Sequence, residues 1–497
     1  MTLSPTASPA SRAATVLWLR AAVSAAPVAG LLLLGFVLRL LASRGPVWND
    51  EIWSLQNLRP IHHFWQVLWD ISHDNNHFLN SLWLFFASPI SDNPTWLRLP
   101  SILAGVCAIP VMAHLGARHS RAAAIVAAAL TAGSFFQFTY SVEARGYATA
   151  MLALIVAFAA LERSLDSPSG GARWILAAAA GVGFFSHLAM APAIVVLGAA
   201  GLAEDWRRRR DALGSLKATA RLFWPAGLAM LPTLAFFVAG YINKGGFTIG
   251  YPRAYATSRA IGAMVNLEMA TFGLPPNSFW LFGLALFVLP PLLLVAIAKA
   301  ALPERRIAYF AFFTVIPAAV LTLQPPNTHA ARYFFAASPF LLLLAAESFS
   351  QLWKLGGWRR AAALAALAAS LTGDGLAIAQ TLAGERSPWT DALSTILESR
   401  QLTLATSFDF NVGRNVDYFN RARGVELDLV PAERLCAQRP AWYIVQMAGD
   451  VAPDPTIDLA GAGCRLTYTF RGEYNRVPSQ LPWSLYRLQD ATSGGRQ

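Results

Sequence analysis

The stretch 47–57, VWNDEIWSLQN, sets two adjacent carboxylates, Asp50 and Glu51, a few residues beyond the first long apolar run of the chain. That run, about residues 21–42, is long enough to cross a ~30 Å hydrocarbon core. The acids therefore stand where a membrane helix emerges into water. A cleaved signal peptide is the competing reading, but the run exceeds the short apolar region of such signals and lacks a convincing cleavage site before the acids.

Composition sets the class. Of 497 residues, 55% are hydrophobic and only 13% charged, where soluble chains carry about a quarter charged residues; mean hydropathy is +0.43. These values describe an integral membrane protein. The net charge of +11 is no mark of a nucleic-acid partner, because the basic residues fall mainly in short runs between apolar segments, where orientation in the bilayer explains them.

Further apolar spans follow at about 98–116, 122–139, 147–165, 174–188, 190–204, 219–240, 279–299, 307–324, 333–350 and 361–380, about eleven with the first. Alternate connections carry Arg118 and Arg121, Arg163 and Arg173, the run 207–210, Lys299 with Arg305 and Arg306, and Lys354 with Arg359 and Arg360. The positive-inside rule puts these in the cytoplasm together with the N-terminus. The connections at about 43–97, 140–147, 187–190, 241–278 and 325–332 then face outward. In the first of them, amphipathic pieces at about 60–71 and 77–88 suit helices lying along the membrane surface.

The final stretch, 385–497, changes character and reads as a small α/β domain outside the membrane, separate from a membrane domain at 1–384. Strands are expected at 402–406, 442–447, 466–470 and 484–488, and helices at 389–400 and 412–423. Cys436 and Cys464 lie here, and two spaced cysteines alone leave their pairing open.

The chemistry-bearing residues gather in the outward loops: Asp50 and Glu51; His73, Asn76 and His77 within HDNNHF; Glu143, Arg145 and Tyr147 within YSVEARGY; His187; Lys244 within GYINKGGF; His329 and Arg332 within NTHAARYFF. Charged groups near the apolar phase are costly unless paired or functional. Each has a plainer reading. Adjacent acids are often a solvated helix start, Glu143 and Arg145 can be an ion pair closing a turn, and Arg332 can anchor at the interface. His73 and His77 are four apart but make an incomplete metal site.

Taken together, the acid pair after the first span, YSVEARGYA, SHLAMAP and ARYFFAASPFLLLL resemble the GT-C superfamily of polytopic glycosyltransferases over about residues 30–350. The nearest groups are the protein O-mannosyltransferases and the aminoarabinose lipid A transferases, glycosyltransferase family 39-like enzymes. Where such relatives carry a His-Pro-Pro-type segment, this chain has HDNNHF. The resemblance implies a mainly α, GT-C-like fold and an inverting transfer of a hexose or pentose from a polyprenyl-phosphate donor to a hydroxyl of a glycan, lipid or protein. It implies a bacterial inner membrane, with the C-terminal domain periplasmic. Asp50 would be the general base, with Glu51 and Glu143 orienting sugar, acceptor or a divalent metal ion for which the sequence offers no complete ligand set. Arg145, Lys244 and Arg332 would hold the donor phosphate, Arg being suited to bidentate contact. His73, Asn76, His77, Tyr147, His187 and His329 would contact acceptor or sugar. A flippase, transporter or ligase of lipid-linked sugars is the alternative; a transporter would place charged residues at mid-span.

Overall fold

The structure is a computed structural model that describes residues 9–167, 170–248, 254–274, 306–326, 328–383, 388–406, 409–446, 453–461, 464–474 and 483–489. The span expected at 279–299 lies outside the described residues. The chain forms two compact units, one of Met1–Ser43, His63–Ser91 and Thr95–Leu376, the other of Arg44–His62, Asp92–Pro94 and Ala377–Gln497.

The first unit is helical. Its principal elements are α1 (Pro9–Ala42), and, beyond the 49–57 helix named below as α2, the short α3 (Gln66–Trp69), α4 (Phe78–Ala87) and α5 (Pro94–Leu97). Then come α6 (Leu99–Ala117), α7 (Arg121–Gly133), α8 (Phe135–Ser141), α9 (Tyr147–Asp166), α10 (Gly170–Ser186), α11 (Met190–Arg209) and α12 (Ala212–Asn243). They are followed by α13 (Thr257–Thr271), α14 (Arg306–Leu323), a 3-10 turn Ala331–Ala337, α15 (Ser338–Leu355) and α16 (Gly357–Leu382). Five described helical stretches are long and apolar enough to cross a membrane, or six if the α7–α8 pair is one span. The protein is a multi-pass membrane protein. Leu228, Leu231 and Leu234 of α12 stay exposed, an apolar surface of the sort lipid covers. The packed core runs through α9, α10 and α11, with Leu154, Phe158, Leu176, Leu197, Phe335 and Phe340 buried in it.

One expected span is not continuous. The run at 122–139 bends by 55° at Ser134, whose ψ of 121° leaves the helical region. A break inside an apolar phase exposes backbone groups that need internal partners. Arg39, fully buried on α1, donates Nη1 to Ala132 O (3.2 Å) and Nη2 to Thr131 O (3.3 Å), covering the end of α7, and Nε to Ser141 Oγ at 2.7 Å. On the other side, Phe135 N–H donates to Asp374 Oδ1 of α16 at 2.8 Å.

Connections of the two kinds gather at opposite ends of these helices. At the basic end, Arg118 pairs with Asp166, Arg208 Nη1 lies 3.6 Å from Asp166 Oδ1, and Ser120 and Ser350 share a hydrogen bond of 2.6 Å. At the other end the loop after α3 is pinned to the loop after α12, where Thr248 N–H donates to Ser72 O at 2.9 Å and Asp74 N–H to Thr248 O at 3.0 Å.

In the second unit a mixed sheet has the strand order β2-β1-β3-β6-β5-β4, with β1 Thr403–Thr406, β2 Asp428–Leu429, β3 Trp442–Gln446, β4 Thr456–Gly461, β5 Cys464–Tyr474 and β6 Trp483–Leu488. β1 runs parallel to β2 and β3, and the rest are antiparallel. Two helices, α17 (Pro388–Glu398) and α18 (Asp409–Arg423), join it. Four strands and both helices stand where the sequence pattern puts them; β4 and the two-residue β2 carry too little alternation to be read. A disulfide joins Cys436 to Cys464. This unit also holds α2 (Asn49–Asn57), the helix of the acid pair.

Candidate active site

In the first unit, the turn between α8 and α9 carries Glu143, Arg145 and Tyr147 to the ends of α4 and α10. Gly146 makes this approach close: a Cβ there would stand 1.9 Å from Ser186 O. Arg145, 5% exposed, donates Nη2 to Asn75 Oδ1 at 2.9 Å, and its guanidinium lies 4.8 Å from the Tyr147 ring. The turn is braced by Ser101 Oγ donating to Arg145 O (2.9 Å) and by Asn80 Nδ2 donating to Ala144 O (2.6 Å).

Beside Tyr147 stand two buried imidazoles. The His77 and His187 rings are 4.8 Å apart, the Tyr147 and His187 rings 4.4 Å, and Phe335 closes on His187 at 5.3 Å. Burial first, then the neighbouring Arg145 and Arg332 cations, pushes His187 down to about 3. His77 is held well below the usual histidine range by burial, then by His187 and Arg145. Both rings are therefore neutral, and a hydrogen bond assigns the tautomer of His187. His187 Nδ1 accepts from Ala189 N–H at 3.1 Å, so the proton is on Nε2. His77 lies against the backbone of Ser186, which partly offsets the lowering, and its buried Nε2 has no hydrogen-bond partner among the described residues. The Nε2–H of His187 and the buried Nε2 of His77 thus belong to rings 4.8 Å apart beside a guanidinium, an arrangement suited to a hydroxyl close to an anion.

In the second unit, Glu51 is 1% exposed and its Oε2 accepts from Trp48 N–H at 2.8 Å. It is the returning half of a capping box, committed to the N-terminus of α2. Asp50, one position earlier, is half-buried. Of the two acids, Asp50 is the one the cap does not occupy.

Of the residues singled out in the sequence, Arg145, Tyr147, His77 and His187 come together, with Arg332 close enough to act on both imidazoles. Glu143 is buried in the same turn. The others have separate partners. Asn76 Nδ2 donates to Val67 O (3.0 Å) and Ile71 O (2.9 Å), a brace of its own loop. His73 Nδ1 accepts from Asn75 N–H at 2.9 Å. Lys244, half-exposed, faces Asp70 with Nζ 3.7 Å from Oδ1. His329 has its ring 6.2 Å from that of Tyr333. Asn75 and Phe335 were not among the expected site residues. Asn75 differs from Asn76 only by one step around a turn, and HDNNHF does not say which amide points at Arg145. No described group of three or more His, Cys, Asp or Glu side chains could hold a metal ion.

No protein-family model matches the chain. No curated protein matches it. Among solved structures it is similar to ArnT from Cupriavidus metallidurans in the apo state, at 13% identity and TM-score 0.51, over 87% of this chain and 93% of that one. It is also similar to ArnT from the same organism bound to undecaprenyl phosphate (14% identity, 95% and 98% covered, TM-score 0.49). A third is the Archaeoglobus fulgidus oligosaccharyltransferase complex with Zn and sulfate (14%, 84% and 68%, TM-score 0.43). The likeness to apo ArnT shows the fold: this chain is folded as that protein is.

Proposed function

We propose that the protein is an inverting glycosyltransferase that moves a sugar from a polyprenyl-phosphate donor to an acceptor hydroxyl at the extracytoplasmic face of a bacterial inner membrane. The observation that carries this reading is the buried Arg145 guanidinium beside the two buried imidazoles of His77 and His187, on loops at one end of a helix bundle folded like that of ArnT. An anion held by the guanidinium, with a sugar hydroxyl between His77 Nε2 and His187 Nε2–H, uses every one of those groups. Arg332 adds the second positive charge that a phosphate leaving group calls for.

The chemistry is one displacement. Asp50 takes the proton of the acceptor hydroxyl as that oxygen forms a bond to the anomeric carbon. The bond from that carbon to the phosphate oxygen breaks, and the polyprenyl phosphate departs with the electron pair. Configuration at the carbon inverts. The acceptor is a glycan, a lipid or a protein; the disulfide between Cys436 and Cys464 supports an oxidising, extracytoplasmic compartment for the region 385–497.

A transporter reading would claim Arg39, Asp374 and the broken α7–α8 helix, since ionisable side chains and helix breaks inside the membrane mark transport sites. All three belong to one structural device, in which the charged side chains satisfy the backbone groups of the break. The test is to incubate the purified protein with a panel of polyprenyl-phosphate sugars and membrane extract, and to identify products by mass spectrometry. A glycosylated product dependent on the donor supports the transferase; movement of donor across vesicles without product supports the transporter.

A further inference from the structure

The helix that carries Asp50 is only nine residues long, and a helix of that length is marginal unless packing holds it. The packing comes from α18. Asn49, Trp53 and Gln56, at i, i+4 and i+7, form one face of α2, and each meets α18. Asn415 Nδ2 donates to Asn49 Oδ1 at 2.5 Å. The Arg414 guanidinium lies 4.3 Å from the Trp53 ring. Gln56 Nε2 donates to Arg414 O and to Asp417 Oδ2, both at 3.1 Å. Just past the helix, Arg59 closes an ion pair with Asp417 at 2.8 Å.

Asn415 is buried, so its hydrogen bond is shielded from water and its loss leaves Asn49 without a defined partner on that face. The gripped face lies about 100° from Asp50 around the helix. α18 can therefore fix the axis and rotation of α2 without covering the acid. With Glu51 fixing the N-terminus, two independent restraints set where the Asp50 carboxylate points.

We propose that α18 is the positioning element of Asp50, and that Asn415 and Arg414 are positioning residues that act on transfer through α2. This gives the 377–497 region a part in catalysis, and it rests on the reading of Asp50 as general base. A misplacement of about 1 Å can cost on the order of 100-fold in rate, so loosening α2 should lower kcat while leaving the donor KM unmoved.

The experiment is a cycle in the full-length protein: Asn415→Ala, Arg414→Ala, Asp50→Asn, and Asn415→Ala with Asp50→Asn, each assayed for transfer with a polyprenyl-phosphate sugar and for amide exchange of residues 51–57. The expected result is faster exchange across α2 in Asn415→Ala and Arg414→Ala and a fall in kcat of about 10- to 100-fold, with donor KM within about twofold. Asn415→Ala should add nothing in the Asp50→Asn background, since a residue that acts only through Asp50 has no effect once the carboxylate is gone. An equal loss in both backgrounds, or an unchanged kcat in the single variants, overturns the positioning role alone. Wild-type transfer by Asp50→Asn overturns the base assignment and the positioning role together.

Discussion

Arg145 Nη2 donates to Asn75 Oδ1 at 2.9 Å, a buried contact between a loop after the first span and a turn seventy residues further on. The amide orients the guanidinium without neutralising it. A carboxylate in the same place would do both. Asn75→Asp should therefore raise the donor KM by about 10- to 100-fold, the equivalent of a charge-assisted hydrogen bond worth about 1.5–3 kcal/mol. Asn75→Ala should be milder, and Arg145→Ala at least as severe as Asn75→Asp. Steady-state kinetics over donor concentration decide it, and an unchanged KM in Asn75→Asp would remove Arg145 from the donor site.

Lys244 provides the contrast. It faces Asp70 in a half-exposed pair, and such pairs contribute about 0–1 kcal/mol. Lys244→Ala should change donor KM by less than about threefold. A larger rise would support the expected role of Lys244 as a phosphate ligand.

Much of this arrangement was legible before the structure. Apolar runs marked the helices of the first unit, of which five or six described ones are long and apolar enough to cross a membrane, and alternating basic loops grouped Arg118 with Arg208 and set Arg145 apart with His187. What period and composition do not carry is side-chain direction. Asn75 and Asn76 are chemically identical, and only the turn after α3 decides that one braces Val67 and Ile71 while the other meets Arg145. The break at Ser134 was hidden for a different reason. Its partners, Arg39 and Asp374, come from distant helices, and nothing local in the run 122–139 announces them. Nor does the acid pair say that Glu51 caps its own helix.

The buried imidazoles give a pH dependence with a definite sign. His187 is held at about 3 against an ordinary value of 6.5, and His77 is lowered as well. Below 6.5 the unfolded chain takes up protons that the folded cluster refuses. The stability from neutral burial is thus complete above 6.5 and falls as pH drops toward the folded value, by up to about 1.4 kcal/mol per pH unit for each ring. Thermal unfolding in detergent between pH 7 and pH 4 should show this decline, and His187→Gln should flatten it. An equal slope in wild type and variant would mean that His187 is charged in the folded state.

Thiol counting checks the second unit. Cys436 and Cys464 are bonded, and Cys107 is free. Protein isolated without reductant and then denatured should take one maleimide label per chain, rising to three after reduction. The closed loop separates the cysteines by 28 residues, for which the chain-entropy relation gives roughly 3–4 kcal/mol of stabilisation. Cys464→Ser should lower the stability of this unit by about that much. Three labels without reductant would contradict the disulfide.

The transfer rate of Asp50→Asn bears most directly on the proposed reaction. The substitution keeps the size of a half-buried side chain and removes its basicity, while the Glu51 cap that holds α2 is untouched. Folding and donor binding should persist. General-base catalysis contributes about 10²- to 10⁴-fold, and a loss of kcat in that range is the predicted result, with Glu51→Gln losing stability more than chemistry. Transfer by Asp50→Asn at the wild-type rate, with product of unchanged anomeric configuration, would contradict it.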